Sequence, residues 1–385
     1  MEIILCVTGS IAAIESVKLA RELKRQGANV KCFMSDEACH IIHPNAMEFA
    51  TGEKVVLNLT GEIEHVKYAQ ADLIIVAPST ANLVSKFAYK IADNPINALL
   101  ITAFGYKTPI LMVPSMHNSM YKAIVENIDK LKSQGINFVK PKIEEGKAKF
   151  PEIDDIVLHS LQLMSEGELQ GKKVLVTAGG TFEEIDPIRG ITNRSSGKMG
   201  VEIAKQAFIK GAEVTLVYAN VSTEIPKSFK SIKAESANEM YQIITQLVEN
   251  QHIFISAAAV SDFTIKKGSR DINLKISSDE DLTLKLEPTA KIINAAKVIN
   301  PEIFLIAFKA EYNLSKEQLI EKASMRLKES NANMIVANDV SNEETGFGST
   351  KNQVIIIDDE ITKTSLSSKE NIAQIIIERI IKKLS

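Results

Sequence analysis

Tryptophan is absent from this sequence, and cysteine occurs three times, at Cys6, Cys32 and Cys39. The odd count and the lack of CxxC spacing argue against a cysteine-rich zinc site and point to a reducing cytoplasm. An excess of either charge is lacking too. Lys and Arg number 45 against 48 Asp and Glu, a net charge of −3 that gives no sign of a nucleic-acid surface. No apolar run approaches the length of a bilayer span, so no membrane partner is expected. The opening MEIILCV has no basic n-region and too short an apolar stretch for a signal peptide, and reads as a first strand. What is present, 45% hydrophobic and 24% charged residues over 385 positions, describes a globular protein with room for two cores.

Both halves alternate apolar strands with helical stretches. In the first, IILCV leads through TGSIAA into a helix over 11–26 with Gly27 beyond its end, and residues 29–33, 73–77 and 109–113 read as buried strands. The polar stretch MSEGELQGKK, with two glycines, reads as a linker. The pattern restarts with VLVTA at Val174, followed by a helix over 198–210, EVTLVYA, a helix over 238–249, HIFISAAA, IFLIAF, MIVAND and VIIID. Residues 271–287 alternate polar and apolar about a turn, the pattern of a two-stranded antiparallel excursion. The expected fold is α/β, two tandem doubly wound domains over 1–170 and 171–385.

Each domain opens with an anion-receptive turn. Gly179 and Gly180 follow the restart strand, and Ser195-Ser196-Gly197 precedes a helix. This is neither Walker A, since six residues separate Gly190 from Gly197 and Met199 follows the lysine, nor GxGxxG. Backbone N–H groups at such a turn and helix start still suit a phosphate. In the first domain, CVTGSIAAIES places a small polar turn at a helix start, and APSTANLVSKFAYKIADN follows a strand with hydroxyl residues. Alone, each of these residues reads as an ordinary cap, turn or core position.

As an ordered set they carry more. TAGGTFEEIDPIRGITNRSSGKMG, AAAVSDF, LKI, IAFKAE and ANDVSNEETGF resemble the blocks of the phosphopantothenate–cysteine ligase family. That resemblance implies ligation of cysteine to 4′-phosphopantothenate through an acyl-nucleotide, with CTP as co-substrate and Mg²⁺. It implies that Asn193 holds the acyl-cytidylate, that Asp262 and Lys275 contact the nucleotide and that Phe308 faces its base. Gly179, Gly180, Ser256 and Pro288 complete the nucleotide set, while metal ligands stay unassigned. The family's later lysine pair falls on Arg326 and Ser330, with Lys322 or Lys328 as substitutes; Arg keeps the charge but changes the hydrogen-bond geometry.

GEIEHVKYAQAD and PSMHNSMY, with the two turn stretches of the first half, resemble the flavin-containing cysteine decarboxylases. The order of the two halves is that of fused proteins of coenzyme A biosynthesis. The resemblance implies FMN, which oxidises a cysteinyl thiol towards a thioaldehyde so that CO₂ can leave; the reduced flavin then returns the hydride equivalent, giving 4′-phosphopantetheine. It places the family's catalytic histidine at His65 and flavin contacts at Gly9, Ser10, Ser35, Ser79, Thr80 and Asn82. Substrate contacts fall on His117 or Asn118, where the family has asparagine, and on Met120. The family's substrate clamp carries a cysteine; KPKIEEGKAKFPEI has none, with Lys147 in place of an arginine. Either another acid delivers the proton that thiol would supply, or the reaction stops at the enethiol. A different flavin-dependent decarboxylase or a regulatory flavoprotein are the alternative readings. The families also imply trimeric decarboxylase and dimeric ligase domains, hence a homo-oligomer closing as a dodecamer.

Overall fold

A computed structural model describes residues 1–384 except 145, 267–274, 277–281, 342–343 and 347. The chain divides into two compact units, Met1–Ser165 and Glu166–Ser385. Each is α/β and doubly wound.

In the first unit, β1 (Glu2–Val7), β2 (Asn29–Met34), β3 (Leu73–Ser79), β4 (Ile110–Pro114) and the short β5 (Asn137–Phe138) form a parallel sheet. Its order is β2-β1-β3-β4-β5. Successive side chains leave a strand on opposite faces. Ile3, Leu5 and Val7 therefore join Leu19 and Leu23 of α1 (Ser16–Arg25) in one core. Ile4 and Cys6 join Phe87 of α2 (Ala81–Ala88) and Leu99 of α3 (Pro95–Tyr106) in the other. Burial on both faces is why β1 and β3 read as unbroken apolar runs. The strand order reverses at β1 and β3, the position where open α/β sheets bind ligands beyond the carboxyl ends of their strands.

The second unit holds β6 (Lys173–Ala178), β7 (Glu213–Tyr218), β8 (Lys230–Lys233), β9 (Ile253–Ser256), β10 (Phe304–Glu311) and β11 (Met334–Asp339). An edge hairpin follows, β12 (Ile355–Ile357) and β13 (Ile361–Lys363). The order is β8-β7-β6-β9-β10-β11-β12-β13, parallel up to β11 and antiparallel after it. The first six strands have the dinucleotide-type arrangement, with the reversal between β6 and β9. The helices α4 (Lys198–Ile209) and α5 (Lys369–Leu384) pack against each other.

The expected helix over 11–26 divides into a 3₁₀ turn, Ile11–Glu15, and α1, with Ser10 accepting from the Ala12 N–H at the start of the turn. Gly27 follows it at φ +84°. Most of the expected excursion over 271–287 lies outside the described residues. What is described nearby is an antiparallel pairing of Phe263–Ile265 with Leu286–Pro288. No described helix is long and apolar enough to cross a membrane.

Candidate functional site

Each reversal point opens onto a cavity. In the first unit it measures about 680 Å³, and its walls include the turn Thr8–Ser10, Ser35, the segment Thr80–Leu83, Asn94 and Ser115. Local hydrogen bonding fixes these walls. The Thr8 hydroxyl donates to the Pro78 carbonyl at 2.8 Å and accepts from the Thr80 N–H at 3.2 Å, tying the end of β1 to the end of β3. Ser10 donates to the Ser115 carbonyl at 3.2 Å. Ser35 and Thr80 each cap a helix start, accepting from the Ala38 and Leu83 N–H groups. They are both caps and cavity wall. Gly9 sits too close to Glu37 for a side chain, since a Cβ there would lie 2.4 Å from that residue's Cβ.

The structure brings Gly9, Ser10, Ser35, Thr80, Asn82 and Met120 to this cavity. Ser79 lies just behind, at the end of β3, fully buried with a hydroxyl that has no partner; the Asn97 carbonyl oxygen of α3 is likewise buried and unpartnered. His65 is not in the wall. It occupies a single helical turn, Glu64–Lys67, that packs against α3, and its Nδ1 is buried without a partner. The turn is held by Glu64, which accepts from the Thr60 N–H at 2.8 Å and the Thr60 hydroxyl at 2.5 Å. Ile63 before it adopts φ +47°, a costly conformation for a β-branched residue.

His117 and Asn118 also lie outside the wall, although Met116 and Met120 on either side belong to it. His117 is exposed, and its Nδ1 caps the short helix Asn118–Ala123 by accepting from the Ser119 N–H. The clamp stretch folds over as a small antiparallel sheet in which His117 pairs with Lys147 and Met116 with Ala148. The three cysteines lie elsewhere: Cys6 and Cys32 are buried in β1 and β2, where desolvation pushes both thiols well up. Sequence reasoning passed over Thr8, Asn58, Lys86 and Ser115 as wall residues; isolated polar positions between strands carry no signal of their own.

The cavity of the second unit measures about 600 Å³. Its walls bring together Asn193, Ser256, Asp262, Phe308 and Arg326 from the expected set. Lys291 forms an ion pair with Asp262 at 2.5 Å. Gly179 and Gly180 stand behind the wall. Gly179, at φ +84°, comes so close to the neighbouring chain that a Cβ would lie 2.5 Å from the Asn220 carbonyl oxygen. A Cβ on Gly180 would lie 2.8 Å from the carbonyl oxygen of Asn193. Their small size lets three segments converge. Ala259 donates its N–H to the Gly179 carbonyl at 2.8 Å, and its own carbonyl accepts from the Asn193 amide at 2.9 Å. Asn193 is thereby aimed at the loop that follows β9.

Lys275 is exposed and Pro288 lies in the Leu286–Pro288 strand; neither is in the wall. The segment around Lys275 is nonetheless anchored, because Asp186 binds the Ile276 N–H at 3.3 Å and Arg189 donates to the Ile276 carbonyl at 2.7 Å. Of the candidates for the lysine pair, Arg326 reaches the cavity. Ser330 is buried and donates to the Arg326 carbonyl, and Lys322 is paired with Glu311. The helix α4 is preceded by Gly197, at φ +71°, with no side chain capping its N-terminus, so its first N–H groups open on the cavity beside Ser195 and Lys198. Lys198, Lys291 and Lys369 were not foreseen as wall residues; Lys369 is distant in sequence from every motif and was invisible before folding.

Asp186 gives the second unit a pH dependence. Burial alone would push its carboxyl up. The N–H groups of Ile188, Arg189 and Ile276, with the Arg189 guanidinium, instead hold it at about 2. A carboxyl depressed by folding stabilises above its unfolded pKa, near 3.9, and loses that contribution as pH falls through the folded value. Asp186→Asn is therefore expected to melt below the parent at pH 7, with the gap closing from about pH 4 to pH 2. Thermal unfolding followed by circular dichroism across that range measures it; a gap independent of pH contradicts the assignment.

Comparison with known proteins matches a flavoprotein domain model to residues 1–165 and a "DNA/pantothenate metabolism flavoprotein C-terminal domain" model to residues 169–384. A protein of Thermococcus kodakarensis named "Coenzyme A biosynthesis bifunctional protein CoaBC" is 45% identical over 94% of this chain and 90% of its own length. Its namesake from Methanocaldococcus jannaschii is 42% identical over 100% and 93% of the two chains. That of Bacillus subtilis is 35% identical over 92% and 89%.

Proposed function

We propose, from the premise that the chain belongs to the family of coenzyme A biosynthesis bifunctional proteins, that its two units carry out consecutive reactions on one molecule. The second unit joins cysteine to 4′-phosphopantothenate with CTP, and the first decarboxylates the product with FMN. One observation carries the ligase assignment: among the described residues, the cavity wall at the reversal point holds Lys198, Lys291, Lys309, Arg326 and Lys369 against Asp262 and Glu329. A carboxylate attacking an α-phosphate expels pyrophosphate, and a surplus of fixed cations stabilises that developing charge. Asn193 orients the acyl phosphate through an amide already fixed on Ala259. Phe308 offers the base an aromatic face. Mg²⁺ would ride mainly on the phosphates, as this ion keeps most of its ligands from substrate and water.

The cavity of the first unit fits a flavin nucleotide. Thr8, Ser10 and Thr80 supply small hydroxyls at the ends of β1 and β3, and the buried hydroxyl of Ser79, next to Thr80, has no partner. FMN, when bound there, supplies the two-electron oxidation that gives the departing carboxylate an electron sink. His65 takes or returns a proton on its turn beside α3. His117 and Lys147, paired in the small sheet that begins beside the wall residue Met116, receive the substrate carboxylate. With no thiol in that sheet, we assign the last proton to another acid. Threefold contacts of the first unit and twofold contacts of the second would close a dodecamer in the cytoplasm.

The test supplies purified protein with 4′-phosphopantothenate, cysteine, Mg²⁺ and either CTP or ATP. Sustained pyrophosphate release that requires both organic substrates and favours CTP is expected, from a yellow protein that yields FMN on denaturation. A colourless protein that FMN cannot reconstitute removes the first assignment; sustained pyrophosphate release, beyond one equivalent per site, without cysteine removes the second.

A further inference from the structure

Lys369 is the first residue of α5 and is only 6% exposed, yet it lies in the cavity wall of the second unit. Its ammonium has no hydrogen-bond or ion-pair partner among the described residues. An unpaired charge held out of water is costly, and proteins rarely keep one without a use for it. The cations around it have different circumstances. Lys291 is paired with Asp262, Lys309 with Glu311 and Arg326 with Glu329. Lys198, the first residue of α4, shares the wall with Lys369 and also lacks an acidic partner among the described residues. The helices α4 and α5 pack together, so their first residues come to the same cavity. Both lysines line the same cavity, and burial, then the charge of Lys198, push the Lys369 ammonium below its usual range. The uncapped first turn of α4 adds N–H groups and a favourable helix end to the same place.

We propose that Lys369 and Lys198, with the first turn of α4, form a phosphate subsite of this cavity, an inference that rests on the ligase reading above for its substrates. A phosphate bridging the two ammonium groups turns their repulsion into two charge-assisted hydrogen bonds. The phosphate comes either from the leaving pyrophosphate or from 4′-phosphopantothenate, and the two sources are separable.

The experiment compares the full-length parent with Lys369→Met, Lys369→Arg and Lys198→Met, all checked for flavin content and melting temperature. Inorganic pyrophosphate is titrated by calorimetry, and the KM for 4′-phosphopantothenate is measured in parallel. Loss of one charged hydrogen-bonding partner is expected to weaken one of these by about tenfold or more. A loss confined to pyrophosphate assigns the subsite to the nucleotide, and one confined to KM assigns it to the organic substrate. Lys369→Arg stays within a few-fold of the parent, since the charge remains. Without ligand, Lys369→Met melts at or above the parent temperature, because a buried unpaired charge has been removed; a merely structural lysine would give the reverse. Unchanged pyrophosphate affinity and unchanged KM in both Met variants overturn the proposal. Should the parent bind pyrophosphate yet consume neither CTP nor ATP, the ligase reading fails while the subsite stands.

Discussion

Asn193→Asp is expected to stop ligation while leaving the protein yellow. The Asn193 amide donates to the Ala259 carbonyl at 2.9 Å, and the convergence permitted by Gly180 fixes the backbone behind it. Aspartate cannot make that donation. It brings a second acceptor against the carbonyl and adds a negative charge where a carboxylate and an α-phosphate must meet. Removing a preorganised donor from such a centre costs on the order of 10²–10³ in kcat. The added charge acts in the same direction, so pyrophosphate release should fall by at least about a hundredfold. The flavin cavity belongs to the other unit, so the visible spectrum and flavin content should match the parent. Turnover within a few-fold of the parent would remove Asn193 from the role given to it.

His65→Asn is expected to keep FMN and lose CO₂ release. The histidine lies outside the cavity wall, so the cofactor cradle of Thr8, Ser10, Ser35 and Thr80 is left intact. Its ring nitrogen Nδ1 is buried without a partner, on a turn held by Glu64 and Thr60 and entered through the strained Ile63. An unsatisfied nitrogen on so constrained a turn supports the proton-transfer role proposed for it. Asparagine retains polarity and approximate size but does not exchange protons as imidazole does. The loss should be about 10²–10⁴-fold in CO₂ release, with ligation unchanged. Normal decarboxylation in the variant would show the turn to be structural only.

The residues differ in how far sequence carried them. β1, β3, β6 and β9 were legible because parallel strands buried on both faces are apolar without interruption. β8, read KSIK, was not, since an edge strand may carry charge along its length. The small sheet in which Lys147 pairs with His117 was likewise hidden in a lysine- and glutamate-rich stretch. For the site, short motifs marked loops that line the two cavities. Gly179 and Gly180 were expected to approach a ligand; in the structure their backbone admits Asn193 and Ala259, and the wall itself is built from Ser195, Lys198 and Asp262. Lys369 could be found only after α5 had returned to pack on α4.

The most direct test of two units acting in sequence follows one carbon. Protein carrying FMN is given cysteine labelled with ¹³C in its carboxyl group, together with 4′-phosphopantothenate, Mg²⁺ and CTP. Labelled CO₂ should form only when all are present, should vanish with Asn193→Asp, and should return to that variant when ready-made 4′-phosphopantothenoylcysteine with the same label is supplied. Labelled CO₂ released from cysteine alone, or none released from the ready-made substrate by the parent, would contradict the account.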